Sequence, residues 1–198
     1  MRRTLWMVLG AVALAGAGLL AFRTGVALAP PPERVGTVLD QPQPTADLAL
    51  RSTEGRVEMG GVAARADWTL VFFGFVDCPD VCPMTMSRLA DTYRELGEPS
   101  DLQVVMVTVD PERDDPARLE RYVDGFHPSF MGLGGSSEDV AAAAERFFIG
   151  YNGTGEGIAH TEAVALLDAE ARLRVVYTQG NLHGLQRDLS SLLNGGRL

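Results

Sequence analysis

Residues 68–83 read WTLVFFGFVDCPDVCP. The first nine are almost wholly apolar, the pattern of a central strand covered on both faces. Cys78 and Cys82 follow at once. Residues 83–96 then place Met86, Leu89, Ala90, Tyr93 and Leu96 at helical spacing, with Gly97 as the stop. Both thiols therefore belong to the junction between a buried strand and a helix. In open α/β sheets that junction, at the carboxyl end of a strand, is where ligand chemistry gathers.

Working outward, residues 102–109 (LQVVMVTV) predict a second buried strand, and Pro116 opens a helix that runs to about residue 124. Residues 130–133 read as a short strand. Residues 137–148 read as a helix capped by Ser136 or Ser137, with Glu138 and Asp139 in its first turn. Residues 161–167 and 173–178 form a predicted hairpin about the polar turn DAEAR at 168–172, and residues 182–193 a last helix closed by Gly195. A small hairpin is expected at 48–50 and 56–59 around Glu54-Gly55. The order β-α-β-α-β-α-β-β-α implies an α/β fold with helices on both faces of the sheet.

The chain of 198 residues suits one globular domain with an addition at one end. Such a domain buries enough surface to fold without disulfide staples, so the two cysteines are free for chemistry. Net charge is −9, and residues 1–29 contain three arginines and no acid, so the remainder is more acidic still. That balance argues against nucleic acid as a partner, because neutralising phosphate requires basic side chains.

Arg2 and Arg3 precede an uninterrupted apolar run at 5–22. Eighteen helical residues span roughly 27 Å, close to the hydrocarbon thickness of a bilayer. The arginines favour the cytoplasmic side, which sends the rest of the chain outward. Ala27-Leu28-Ala29 offers the alternative of a cleaved signal peptide. Either reading puts the domain outside the cytoplasm. Residues 30–45 hold five prolines and read as an extended tether, with the globular domain at 46–198.

A helix N-terminus stabilises negative charge and predicts a lowered thiol pKa at Cys78 and Cys82. Residues four apart in helical geometry lie about 6 Å from each other on one face. That spacing suits a disulfide or two sulfurs on one metal. A passive structural disulfide would constrain only a four-residue turn. Thioredoxin-like oxidoreductases place two residues between their cysteines, whereas this chain places three.

Three pieces of this sequence, FGFVDCPDVCP at 73–83, VTVDPERDD at 107–115 and AHTEAVALLD at 159–168, together resemble the Sco (SenC/PrrC-like) family of copper chaperones for cytochrome c oxidase assembly. The resemblance spans about residues 68–195 and implies a thioredoxin-like fold with a central mixed sheet, preceded by an N-terminal transmembrane helix. It implies copper ligation by Cys78, Cys82 and His160, with Asp110 near the metal loop, where it tunes the site or contacts a partner. It also implies a periplasmic domain that receives copper from a donor protein and serves the CuA site of oxidase subunit II. Two thiolates and one imidazole can hold Cu(I) or Cu(II), and a disulfide between the cysteines would exclude either ion.

The remaining candidates carry simpler readings. Asp110 can cap the turn that follows its strand. Met86 falls at core spacing and Met84 at the surface, while His127 and His183 match no motif. The family often has Asp-His-Ser where this chain has Ala159-His160-Thr161, which removes a possible acidic partner of the imidazole. An alternative function for the same cysteines is that of an extracytoplasmic thiol-disulfide oxidoreductase, which would reduce the cysteine pair of a target copper site. His160 discriminates the two, because dithiol exchange does not require it. A peroxide-reducing or redox-sensing relative is a third class.

Overall fold

The computed structural model describes residues 34–152 and 158–198. The N-terminal apolar run and the glycine-rich 153–157 lie outside the described residues. Among the described residues no helix is long and apolar enough to cross a membrane.

The strand read from the opening motif is β4 (Trp68–Gly74), buried from its second residue onward. It pairs in parallel with β5 (Leu102–Thr108), from Trp68↔Leu102 to Gly74↔Thr108. Parallel neighbours need a crossover. Here it is α2 (Val81–Glu95), which buries Cys82, Met86, Leu89, Ala90 and Tyr93. A second crossover through α3 (Pro116–Asp124) brings in β6 (Met131–Leu133), parallel to β5. On the other side β4 meets β9 (Ala163–Asp168) antiparallel, and β9 turns back into β10 (Arg172–Thr178). Strands β7 (Tyr151–Asn152) and β8 (Ala159–His160) form a separate two-residue hairpin just before β9. Helix α4 (Ser137–Arg146) carries the predicted cap as a full capping box between Ser136 and Asp139. A 3₁₀ turn (Leu182–Gly184) leads into α5 (Leu185–Leu193).

With an edge strand β1 (Thr37–Pro44), the described residues thus form a mixed sheet in the order β1-β10-β9-β4-β5-β6, a mixed α/β fold whose central strands match the sequence reading. The expected small hairpin is present as β2 (Ala49–Ser52) and β3 (Gly55–Glu58), followed by the short α1 (Met59–Ala63).

One expectation is corrected. Within residues 30–45, read as a linker, Thr37–Pro44 is a strand, β1, paired antiparallel with β10. Its prolines are tolerated because β1 is an edge strand, and its pairing shifts register between Val38 and Gln43. Asp188 on α5 fixes the start of this segment: its carboxylate accepts the N–H of Val35 (2.8 Å) and of Gly36 (3.0 Å). The folded unit therefore includes residues 34–45 and does not start near residue 46.

Candidate metal centre

Beyond Gly74 the backbone leaves β4, and the N–H of Cys78 returns to the carbonyl of Phe75 (3.3 Å), closing a turn that points Cys78 back at the sheet. Helix α2 then starts at Val81 with Asp80 before it, and the Asp80 side chain caps nothing. The first turn of a helix has N–H groups without intrahelical partners. That of Cys82 goes to the sulfur of Cys78 at 3.4 Å. Cys82 itself is fully buried in the core, while Cys78 is half-buried. Gly74 makes room for it: a Cβ there would stand 3.0 Å from Cys82 Sγ and 2.7 Å from Phe72 Cε1. Both cysteines are free thiols.

His160 reaches the pair from far along the chain. Hairpin β7–β8 holds it by the Tyr151↔His160 pairing, and the N–H of Thr161 donates to the carbonyl of Gly150 (2.8 Å). Its ring stands edge-on to Phe72 and Phe75, with centroids 6.2 and 6.1 Å away. Nε2 lies 3.6 Å from Cys82 Sγ. Nδ1 lies 3.2 Å from the backbone carbonyl of Thr161. A carbonyl only accepts, so this bond places the proton on Nδ1 and leaves the Nε2 lone pair aimed at the sulfur. The Thr161 carbonyl thus takes over the orienting task that the missing acid at Ala159 would have served.

The ligand atoms of Cys78, Cys82 and His160 all lie within 4.8 Å of one another. With bonds of about 2.3 Å to sulfur and about 2.0 Å to nitrogen, a trigonal ion sets sulfur and nitrogen about 3.7 Å apart and the two sulfurs about 4.0 Å apart. The observed spacing fits that requirement without rearrangement of the backbone. Two thiolates with one imidazole form a soft donor set, suited to Cu(I) and able to hold Cu(II). Cys78 and His160 open onto a cleft of about 270 Å³ lined also by Phe75, Pro79, Ile158, Asp80 and Glu162, while Cys82 lies behind them in the core. A larger groove of about 610 Å³ along the outer face of α2 contains Met84 and His183 but does not reach this ligand set.

The thiol pKa expected from the helix end is corrected for Cys82. Burial pushes its thiol well above the usual range, reinforced by its hydrogen bond with Cys78, and outweighs the favourable helix terminus. Cys82 is a thiol until a metal displaces its proton.

Asp110 follows two residues after the end of β5 and is buried. Its backbone carbonyl, rather than its carboxylate, accepts the N–H groups of Arg113 (3.1 Å) and Asp114 (3.0 Å) and caps the turn. The carboxylate pairs with Arg113, whose other arm lies 3.4 Å from Asp77, the neighbour of Cys78. Met86 is a core residue and Met84 is 57% exposed. His127 is buried edge-on to Tyr93 and hydrogen-bonded to Ser129, as a structural histidine. Sequence reasoning passed over Asp114, Arg118 and Gly74. Gly74 lies in the first motif and Asp114 in the second, Arg118 in neither, and nothing local distinguishes Asp114 from its neighbour Asp115.

The SCO1/SenC family profile matches residues 46–190. The mitochondrial SCO2 homologue of Mus musculus is 46% identical over 91 residues, which is 44% of this chain and 36% of that protein. The first curated relatives are spanned over about a third to just over half of their length. Among solved structures, apo Sco1 of Thermus thermophilus superposes with a TM-score of 0.69 at 36% identity, covering 82% of this chain and 96% of that one. Arabidopsis thaliana ScoI with copper bound superposes with a TM-score of 0.67 at 26% identity, covering 81% and 99%. With a matched profile over most of its length and the same fold, this chain belongs to the SCO1/SenC family.

Proposed function

We propose that this chain is a copper-binding metallochaperone of cytochrome c oxidase assembly, in which Cys78, Cys82 and His160 carry the ion as cargo. The observation that carries this reading is the convergence of two sulfurs and one imidazole nitrogen within 4.8 Å, with the imidazole already in the ligating tautomer. The copper bound in the Arabidopsis relative supports the choice of ion. Each part has a task. Cys78, half-buried at the cleft, is the sulfur an incoming donor meets first. Cys82 closes the site from the core side, and His160 lines the cleft beside Cys78. A three-ligand sphere leaves room for a ligand from the acceptor, as transfer by ligand exchange requires.

In this reading residues 1–29 anchor the domain to the membrane, with the folded unit on the periplasmic side. The acceptor is the CuA site of oxidase subunit II, and copper arrives from a donor protein. Asp110 acts on the loop through Arg113 rather than on the metal.

The test is an anaerobic Cu(I) titration of the reduced full chain in detergent. One ion per chain is expected, with binding weakened tenfold or more by Cys78→Ala, Cys82→Ala or His160→Ala. A His160→Ala variant that binds as tightly as the parent would refute the three-ligand site.

A second reading has its own support. The half-buried Cys78 sulfur accepts the Cys82 N–H, while Cys82 is enclosed, an arrangement of attacking and resolving thiols. A thiol-disulfide reductase acting on the cysteines of the target copper site would use it. Fast disulfide exchange by reduced chain that takes up no copper would establish that reading instead.

A further inference from the structure

We propose that Asp114 is a positioning residue for the metal centre, a buried carboxylate that locks the segment carrying Cys78 onto the end of β5. The inference deepens the metal-binding reading and rests on it.

Where the parallel β4–β5 ladder ends, its last rung is the N–H of Val109 donating to the carbonyl of Gly74 (2.8 Å). The chain after β5 then turns away at Asp110, so the next N–H on the other side, that of Val76, has no strand to pair with. Val76 is half-buried, and a backbone N–H withdrawn from water requires a partner. Asp114 Oδ2 supplies it at 3.0 Å, and the same oxygen accepts the hydroxyl of Thr108, the last residue of β5, at 2.7 Å. One carboxylate thereby replaces the missing rung and ties the first residues of the metal loop to the sheet.

Its other oxygen faces Arg118 Nη1 at 3.4 Å, and Arg118 also donates to Asp77, beside Cys78. Arg113 reaches Asp77 from the second side at 3.4 Å while pairing with Asp110. Asp110 and Asp114, with the two arginines, thus hold Val76 and Asp77 at two consecutive positions. Cys78 is the next residue, and its N–H closes on Phe75 within the same turn. The Cys78 sulfur is the one ligand of the three carried on a loop, since Cys82 is in a helix and His160 in a hairpin. A loop ligand needs external support to hold a fixed direction, and supporting groups of this kind commonly tune metal affinity by 10- to 100-fold. Burial raises the Asp114 carboxyl, and the Val76, Thr108 and Arg118 contacts oppose that shift.

The test compares the full chain with Asp114→Ala, Asp114→Asn and Arg118→Gln. Copper affinity is measured by competition with a chelator, the sulfur-to-Cu(II) absorption band reports the Cys78 geometry, and circular dichroism confirms folding. Asp114→Ala is expected to weaken copper binding at least tenfold and to shift the band. Asp114→Asn should lose less, because its amide oxygen can still accept from Val76 and Thr108. A folded Asp114→Ala with parental affinity and an unshifted band overturns the proposal. If that variant does not fold, Arg118→Gln decides, with a several-fold loss and a shifted band supporting the clamp and parental values overturning it. Parent chain that binds no copper overturns the metal reading itself, and this inference with it.

Discussion

Gly74→Ala tests how tightly the metal centre is built into the core. The added methyl would lie 2.7 Å from Phe72 Cε1, 3.0 Å from Cys82 Sγ and 3.2 Å from Met106 Cε. All three residues are fully buried. Phe72 is held between neighbouring strands, so it gives little, and the sulfur at the strand–helix junction takes much of the displacement. Overpacking of this kind costs about 1–3 kcal/mol. Replacing glycine at a backbone conformation that alanine also adopts returns about 0.4–1 kcal/mol through the unfolded chain. The net is a loss of about 1–2 kcal/mol, which for a domain of this size lowers the melting temperature by roughly 2–8 °C. A sulfur shifted by a few tenths of an ångström also disturbs its 3.6 Å approach to His160 Nε2, so copper affinity should fall about tenfold. Thermal melts of the apo chain and chelator competition of the copper-loaded chain measure the two effects separately. A variant with unchanged melting temperature and unchanged affinity would show that Cys82 is not seated against β4 as described.

Oxidising the chain should abolish copper uptake and reduction should restore it, because a disulfide between Cys78 and Cys82 leaves no thiolate to ligate; mass spectrometry and copper stoichiometry on one sample check both. Apparent copper affinity should rise at least tenfold per unit between pH 6 and 8. Burial keeps Cys82 protonated in the apo form, so binding expels its proton and becomes easier as pH rises; a pH-independent affinity would contradict this. Asp188→Ala should destabilise the fold by about 2–4 kcal/mol in denaturant unfolding, since it strands the N–H groups of Val35 and Gly36 and the hydroxyl of Tyr177, while copper affinity of the folded chain is unchanged.

Much of the fold was legible because its signals are local. The apolar run of β4, the helical spacing after Cys82 and the polar turn at 168–172 each reflect short-range periodicity, and each element stands where that periodicity puts it. Strand β1 was hidden by its composition. Its prolines and acid read as linker, and only pairing with β10 at a sheet edge makes them acceptable. The Cys82 pKa went the other way from expectation because the helix end is a local feature, whereas desolvation depends on what the rest of the chain packs around the sulfur.

What the sequence determined by itself was the strand–loop–helix unit, the four-residue spacing of the two thiols and a short list of histidines able to join them. It could not choose the partner from geometry, because His160 is 78 residues from Cys82 and meets it only once β9 lies beside β4. The tertiary structure decided that meeting, the Thr161 carbonyl that sets the imidazole tautomer, and the carboxylate of Asp114 beneath Val76. The reason is physical: spacing along a chain fixes distances only within one regular element, whereas contacts between elements are set by how the sheet assembles.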